Sequence, residues 1–243
     1  MKDYFIKIPL WIWEPIEDKT VEVSMDKIMV YCYLYQNQSL KGTSFFMYTD
    51  YLNEIGRGNG SQKDYYLRKT KEILSRFEDV GIIKKVNSVP GCIKYKLSPQ
   101  QFSGADSKYI QLSYSEYESI IKWADTSYKA YLLSTLCLIK HLIYGRRGKK
   151  LNQVEFPIGV CSYSMEKLAS RLNKDERTTR KYIKALEELG LIARKVIRTK
   201  AKDGGFNVFT LHVPTSEINY QTKLDNAEQF IKEKFGDLKT KKF

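Results

Sequence analysis

Residues 164 to 198, SMEKLASRLNKDERTTRKYIKALEELGLIARKVIR, set two amphipathic helical patterns and a basic extended pattern end to end, and no other stretch so narrows what this chain can fold into. Ser164 is placed to cap a helix running through about Leu172, with Met165, Leu168, Ala169 and Leu172 as its apolar stripe. Lys167 stands where a capping box needs Glu or Gln, so the cap is a simple one. After a polar break at Asn173 and Lys174, a second helix, about Glu176 to Leu189, carries Thr179, Tyr182, Ile183, Leu186 and Leu189 on one side. Arg177, Arg180, Lys181 and Lys184 fall together on the opposite side, given about 100° of rotation per residue. Gly190 stops the helix. Leu191 and Ile192 open a strand, Arg194, Lys195, Arg198, Lys200 and Lys202 load the following ribbon with charge, Asp203-Gly204-Gly205 is the expected turn, and Phe206 to Val213 the return strand.

That order is a helix-turn-helix running into a basic wing. An apolar face holds the second helix on a three-helix core while its cationic face is offered to the DNA major groove and the flanking phosphates. A basic stripe alone is usually a solvated face; a basic helix, a glycine stop and a basic ribbon in succession point to double-stranded DNA as the partner. The expected contacts are Arg177, Thr178, Arg180, Lys181 and Lys184 on the helix and Arg198, Lys200 and Lys202 on the wing.

Charge agrees. Of 243 residues, 41 are Lys or Arg and 28 Asp or Glu, a net charge of +13. Such a balance favours a polyanion, although an acidic protein or a membrane surface would attract it too. No cationic leader followed by an apolar run opens the chain, and the longest apolar stretch, Tyr131 to Tyr144, is broken by Lys140 and His141, so a cytoplasmic protein without a membrane partner is expected. Cys32, Cys92, Cys137 and Cys161 are widely spaced and form no CxxC pair, which indicates neither a zinc site nor a disulfide framework; Cys32 and Cys137 fall in apolar helical runs and read as buried thiols. The two histidines, His141 and His212, have no nucleophile at a recognisable spacing, and neither a phosphate-binding GxxxxGK[ST] loop nor a His-hydrophobic-His motif is present. No catalytic residue, metal or cofactor is therefore expected.

The first half repeats the plan. Thr49 to Ile55 reads as a short helix capped by Thr or Asp, Lys63 to Val80 as a longer one, and Gly81-Ile82-Ile83-Lys84-Lys85 matches Gly190-Leu191-Ile192-Ala193-Arg194. Aligning the glycines pairs Leu74 with Ile183, Phe77 with Leu186 and Val80 with Leu189 as core positions. The Gly56 to Gln62 connection is longer and glycine-rich, the pattern of a mobile turn. Each copy is preceded by a strand-like segment and an apolar helix: Phe5 to Pro9 with Asp26 to Gln38, and Tyr109 to Ser113 with Ser127 to Tyr144. Tyr65, Arg68 and Lys69 are the first copy's candidate DNA contacts, but Glu72 and Ser75 replace Lys181 and Lys184, and its wing tip, Asn87 to Gly91, is uncharged. The second copy should dominate affinity, aided by the basic 145–150 loop.

The expected fold is α+β and mainly helical: two winged-helix domains in tandem, residues 1–103 and 108–215 divided by the polar 98–107 stretch, then a helix from about Thr222 to Phe235 and a basic tail within 216–243. This layout resembles the tandem winged-helix replication initiators of plasmids, and residues 164–192 look like the helix-turn-helix of many plasmid and phage replication proteins. The resemblance implies binding to origin repeats, one winged helix per half-site, recruitment of host replication proteins, and a first domain used for homodimerisation. The competing expectation is a phage or plasmid transcription regulator bound at an operator. A third is an adaptor whose winged helices have lost DNA contact, against which the cationic second helix argues.

Overall fold

Tyr31, Tyr51 and Tyr95 are almost wholly buried, and the first half is assembled around them. The computed structural model describes residues 5–9, 25–39, 41–98, 109–123, 129–144, 157–199, 202–211 and 219–236. Among these the architecture is α+β, with eight helices and three small antiparallel sheets. The chain divides into two compact units, Met1–Ser134 and Thr135–Phe243.

In the first unit, β1 (Phe5–Pro9) is followed by α1 (Met25–Gln36), β2 (Thr43–Met47), α2 (Tyr48–Glu54), α3 (Lys63–Asp79), β3 (Ile83–Val89) and β4 (Cys92–Leu97). Then come β5 (Tyr109–Ser113) and α4 (Tyr114–Lys122). The run from Ile28 to Leu34 of α1 is buried throughout, as expected of a helix that is apolar on nearly every side. Tyr33 packs edge-on to Phe46 at 5.0 Å and to Tyr51 at 5.3 Å. The three-stranded sheet runs β2-β4-β3, so the strand preceding α2 pairs with the last one of the hairpin.

The same order recurs in α5 (Lys129–Tyr144), β6 (Val160–Ser162), α6 (Met165–Arg171), α7 (Glu176–Glu188), β7 (Ile192–Thr199) and β8 (Lys202–Leu211), with the sheet β6-β8-β7. The repeat extends to single bonds. Gly81 and Gly190, at φ 73° and 67°, take left-handed backbone after α3 and α7. Ile82 donates its amide to Phe77 O at 2.9 Å and Leu191 to Leu186 O at 3.0 Å, while the glycine amides bond Glu78 O and Glu187 O, which is the Schellman pattern twice over. Thr70 and Thr179, both buried, return their hydroxyls to the carbonyls of Tyr66 and Asp175 at 2.7 and 3.0 Å. Helix α8 (Tyr220–Phe235) closes the described chain and packs Leu224, Ala227 and Ile231 on Val160, Ile197 and Val208 of the β6-β8-β7 sheet.

Several expectations change. Strands β2 and β6 and helix α4 add to the elements read from sequence; β2 and β6 span 5 and 3 residues and pair with β4 and β8. Tyr109–Ser113, read as the start of the second copy, pairs antiparallel with Phe5–Pro9, Ile8 opposite Ile110. Val80, assigned to the core, is 64% exposed, because it is the last residue before the Gly81 reversal. Helix α2 begins one residue early, at Tyr48, with Met47 as a cap that supplies no side-chain hydrogen bond in place of Thr49 or Asp50. Within the glycine-rich connection to α3, the Arg57 amide donates to Leu52 O at 2.6 Å and the Arg57 guanidinium lies 4.9 Å from the Tyr66 ring centre. The 98–107 break, apart from Ser98, and the 145–150 loop lie outside the described residues.

Candidate nucleic-acid interface

The geometry of α7 follows from its ends. Ser164 caps α6, accepting from the Lys167 amide at 3.2 Å, and Asn173, at φ 49°, reverses the chain after it. Asp175 then caps α7: its carboxylate accepts from the Thr178 amide and the Thr178 hydroxyl, each at 2.7 Å. Those two bonds hold the Asp175 carboxyl below the usual carboxylate range. Thr179, Tyr182, Ile183 and Leu186 are buried, as the sequence pattern predicts.

Arg177, Arg180, Lys181 and Lys184 are all exposed on the other side of α7. Arg180 sits 3.0 Å from Glu176 and Lys184 3.4 Å from Glu188, both one turn apart. Among the described residues no carboxylate pairs with Arg177 or Lys181. Exposed pairs of this kind contribute only about 0.3–0.5 kcal/mol each, so a phosphate or base edge can take the carboxylate's place at little cost. The third α7 acid turns away: Glu187 accepts from Arg194 Nε at 3.4 Å and joins the end of α7 to β7. Glu78 does the same in the first copy, accepting from the Lys85 amide at 3.1 Å.

The wing differs from expectation. The hairpin closes between Thr199 and Lys202, and Asp203-Gly204-Gly205 lies within β8, not at the turn. Between the Ile197–Phe206 and Thr199–Lys202 pairs, three residues of β8 oppose Arg198 alone, and the surplus is taken up at Gly205, φ 72°, whose missing Cβ would lie 2.6 Å from Ile197 O. Arg198 is exposed on the ribbon; Lys200 and the Lys202 side chain lie outside the described residues. Lys195, counted from sequence with the wing charges, is instead held by Asp225 at 2.8 Å and by Glu228, both on α8. These bonds raise the lysine above its ordinary pKa and lower both acids. Nothing in the local sequence of β7 signals that neutralisation, since its partners lie 30 or more residues away.

In the first copy, Arg68 is exposed and Tyr65 is 50% exposed. Lys69 is not presented in the same way: its ammonium is 2.5 Å from Asp26 of α1 and 5.8 Å from the Tyr65 ring centre. Lys71, Glu72 and Ser75 are exposed, which leaves the α3 surface of mixed charge where that of α7 is cationic.

Cys32 and Cys137 are buried within α1 and α5. Among the described residues, no group of His, Cys, Asp and Glu is placed to hold a metal ion, and no helix is long and apolar enough to cross a membrane. No protein-family model and no curated protein matches this chain.

Proposed function

We propose that the chain is a sequence-specific double-stranded DNA-binding protein made of two winged helices, in which α7 enters the major groove and the β7–β8 hairpin follows the adjacent backbone. One observation carries this reading: α7 buries Thr179, Tyr182, Ile183 and Leu186 while exposing Arg177, Arg180, Lys181 and Lys184 on its opposite side. The order helix, strand, two helices and hairpin, with the first strand on the last, supports the winged-helix assignment of each repeat. Arginines on such a helix read guanine edges in pairs of hydrogen bonds, and lysines neutralise phosphate.

With roughly six to eight phosphates neutralised, the slope of log affinity against log salt is about −5 to −7. Titration of a duplex with the full chain at several salt concentrations tests this, and an affinity indifferent to salt overturns it. Within DNA binding, replication initiation at plasmid or phage origin repeats, with host replication proteins as further partners, is the reading that the resemblance of residues 164–192 favours. Selecting bound fragments from the source genome decides the process: an iterated array supports initiation, and a single operator over a promoter assigns transcription regulation.

A further inference from the structure

The strand registers of the two repeats match face by face. Thr43 pairs with Lys96 and Phe45 with Lys94; Val160 pairs with Thr210 and Ser162 with Val208. Ile83 faces Leu97 as Ile192 faces Leu211, which sets β4 on β8 and β2 on β6. Ser44 and Phe46 of β2 are buried toward the helices, so Phe45 and Met47 point to the outer face, together with their partners Lys94 and Cys92.

In the second unit that outer face is not bare. α8 lies on it with Leu224, Ala227 and Ile231 buried against Val160, Ile197 and Val208, and Asp225 and Glu228 reach Lys195 on the face. The corresponding face of the first unit carries Phe45 at 47%, Met47 at 41% and Val89 at 58% exposure. Around them stand Lys84, Lys94 and Lys96, and β2, β3 and β4 together contain no Asp or Glu. Lys94 Nζ lies 5.4 Å from the centre of the Phe45 ring.

We propose that the outer face of the β2-β4-β3 sheet is a docking surface for an amphipathic helix of another protein, apolar along one side and bordered by Asp and Glu. The sister sheet supplies the template: α8, of mixed charge but with an apolar side flanked by Asp225 and Glu228, already covers the equivalent strands of the second unit. Charge selects the occupant. A second copy of this face would set Lys84, Lys94 and Lys96 against themselves, whereas an acidic border meets three lysines. A second copy's α8 is no better placed, because its apolar side is already buried in its own unit. A nucleic acid would match the lysines but leave Phe45, Met47 and Val89 without apolar partners. The inference holds whether or not α7 enters a DNA groove.

The test uses the full chain and two labelled helical peptides with the apolar spacing of α8, one bordered by Glu and the other by Lys, read by fluorescence anisotropy. The Glu peptide is expected to bind at least tenfold more tightly than the Lys peptide. Phe45→Glu should weaken it at least tenfold while leaving duplex DNA affinity unchanged, and circular dichroism checks that the exposed substitution leaves the fold intact. Lys94→Glu should weaken the Glu peptide and strengthen the Lys peptide, a reversal that loss of folding cannot produce. Failure of the Glu peptide to bind, or equal binding to Phe45→Glu, overturns the proposal. A homodimer split by Phe45→Glu gives the face to a second copy, and loss of DNA affinity in Lys94→Glu without peptide binding gives it to nucleic acid; either result overturns it too.

Discussion

Lys195 Nζ lies 2.8 Å from the Asp225 carboxylate, which ties strand β7 to helix α8. Lys195 is raised above its ordinary pKa, so its contribution is complete below about pH 10 and is lost as pH climbs through the raised value. Asp225 and Glu228 are lowered, so theirs is complete above about pH 4 and is lost as pH falls through the lowered values. Lys195→Met should therefore lower Tm relative to the unchanged chain between about pH 5 and 9, and the difference should vanish near pH 2. Melting curves of both proteins across that range check it, and a gap that persists in acid refutes the pairing as its cause.

Glu176 holds Arg180 within 3.0 Å on the face proposed to meet DNA. Removing that carboxylate frees a guanidinium and deletes a repulsive charge, so Glu176→Gln should tighten non-specific duplex binding several-fold at low salt and less at high salt. Arg177→Ala should weaken a mapped site by about 1–3 kcal/mol and relax selectivity at one base pair. Anisotropy titrations with specific and scrambled duplexes distinguish the two effects. Unchanged affinity and selectivity in both variants would remove α7 from the groove.

Gly81 and Gly205 both have positive φ but different surroundings. A Cβ on Gly81 meets nothing within 4 Å, so Gly81→Ala carries only the backbone term, about 1–2 kcal/mol. A Cβ on Gly205 would stand 2.6 Å from the Ile197 carbonyl oxygen, and Gly205→Ala should cost more than Gly81→Ala. Urea unfolding of the two variants reads the order directly.

Strand β1 pairs with β5, and Tyr117 of α4 donates its hydroxyl to Glu54 of α2 at 2.6 Å. Burial raises the Glu54 carboxyl above its usual range, although the Tyr117 hydrogen bond and Lys129 oppose that shift. A fragment ending at residue 103 lacks β5 and α4, so it should unfold at lower urea than a fragment ending at 134. Equal midpoints would show that β5 and α4 add nothing to the first unit.

Local pattern determined much here. The spacing of Thr179, Tyr182, Ile183 and Leu186 sets both the existence of α7 and the direction its cations face, because a helix has one rotation per residue whatever surrounds it. Gly81 and Gly190 mark both helix ends, since glycine takes that backbone at no steric cost. What depends on partners distant in the chain was decided by tertiary structure. Strand β2, Thr43–Met47, sets two phenylalanines side by side and so shows no alternation in sequence, strand β6 has only three residues, and their pairing with β4 and β8 is long-range. The Asp203-Gly204-Gly205 run has the composition of a turn, yet strand register makes it a bulge. The pairing of Lys195 with Asp225, and of Lys69 with Asp26, withdraws two lysines that sequence alone counted among the exposed cations, because these pairs join charges distant in the chain that only folding brings within reach.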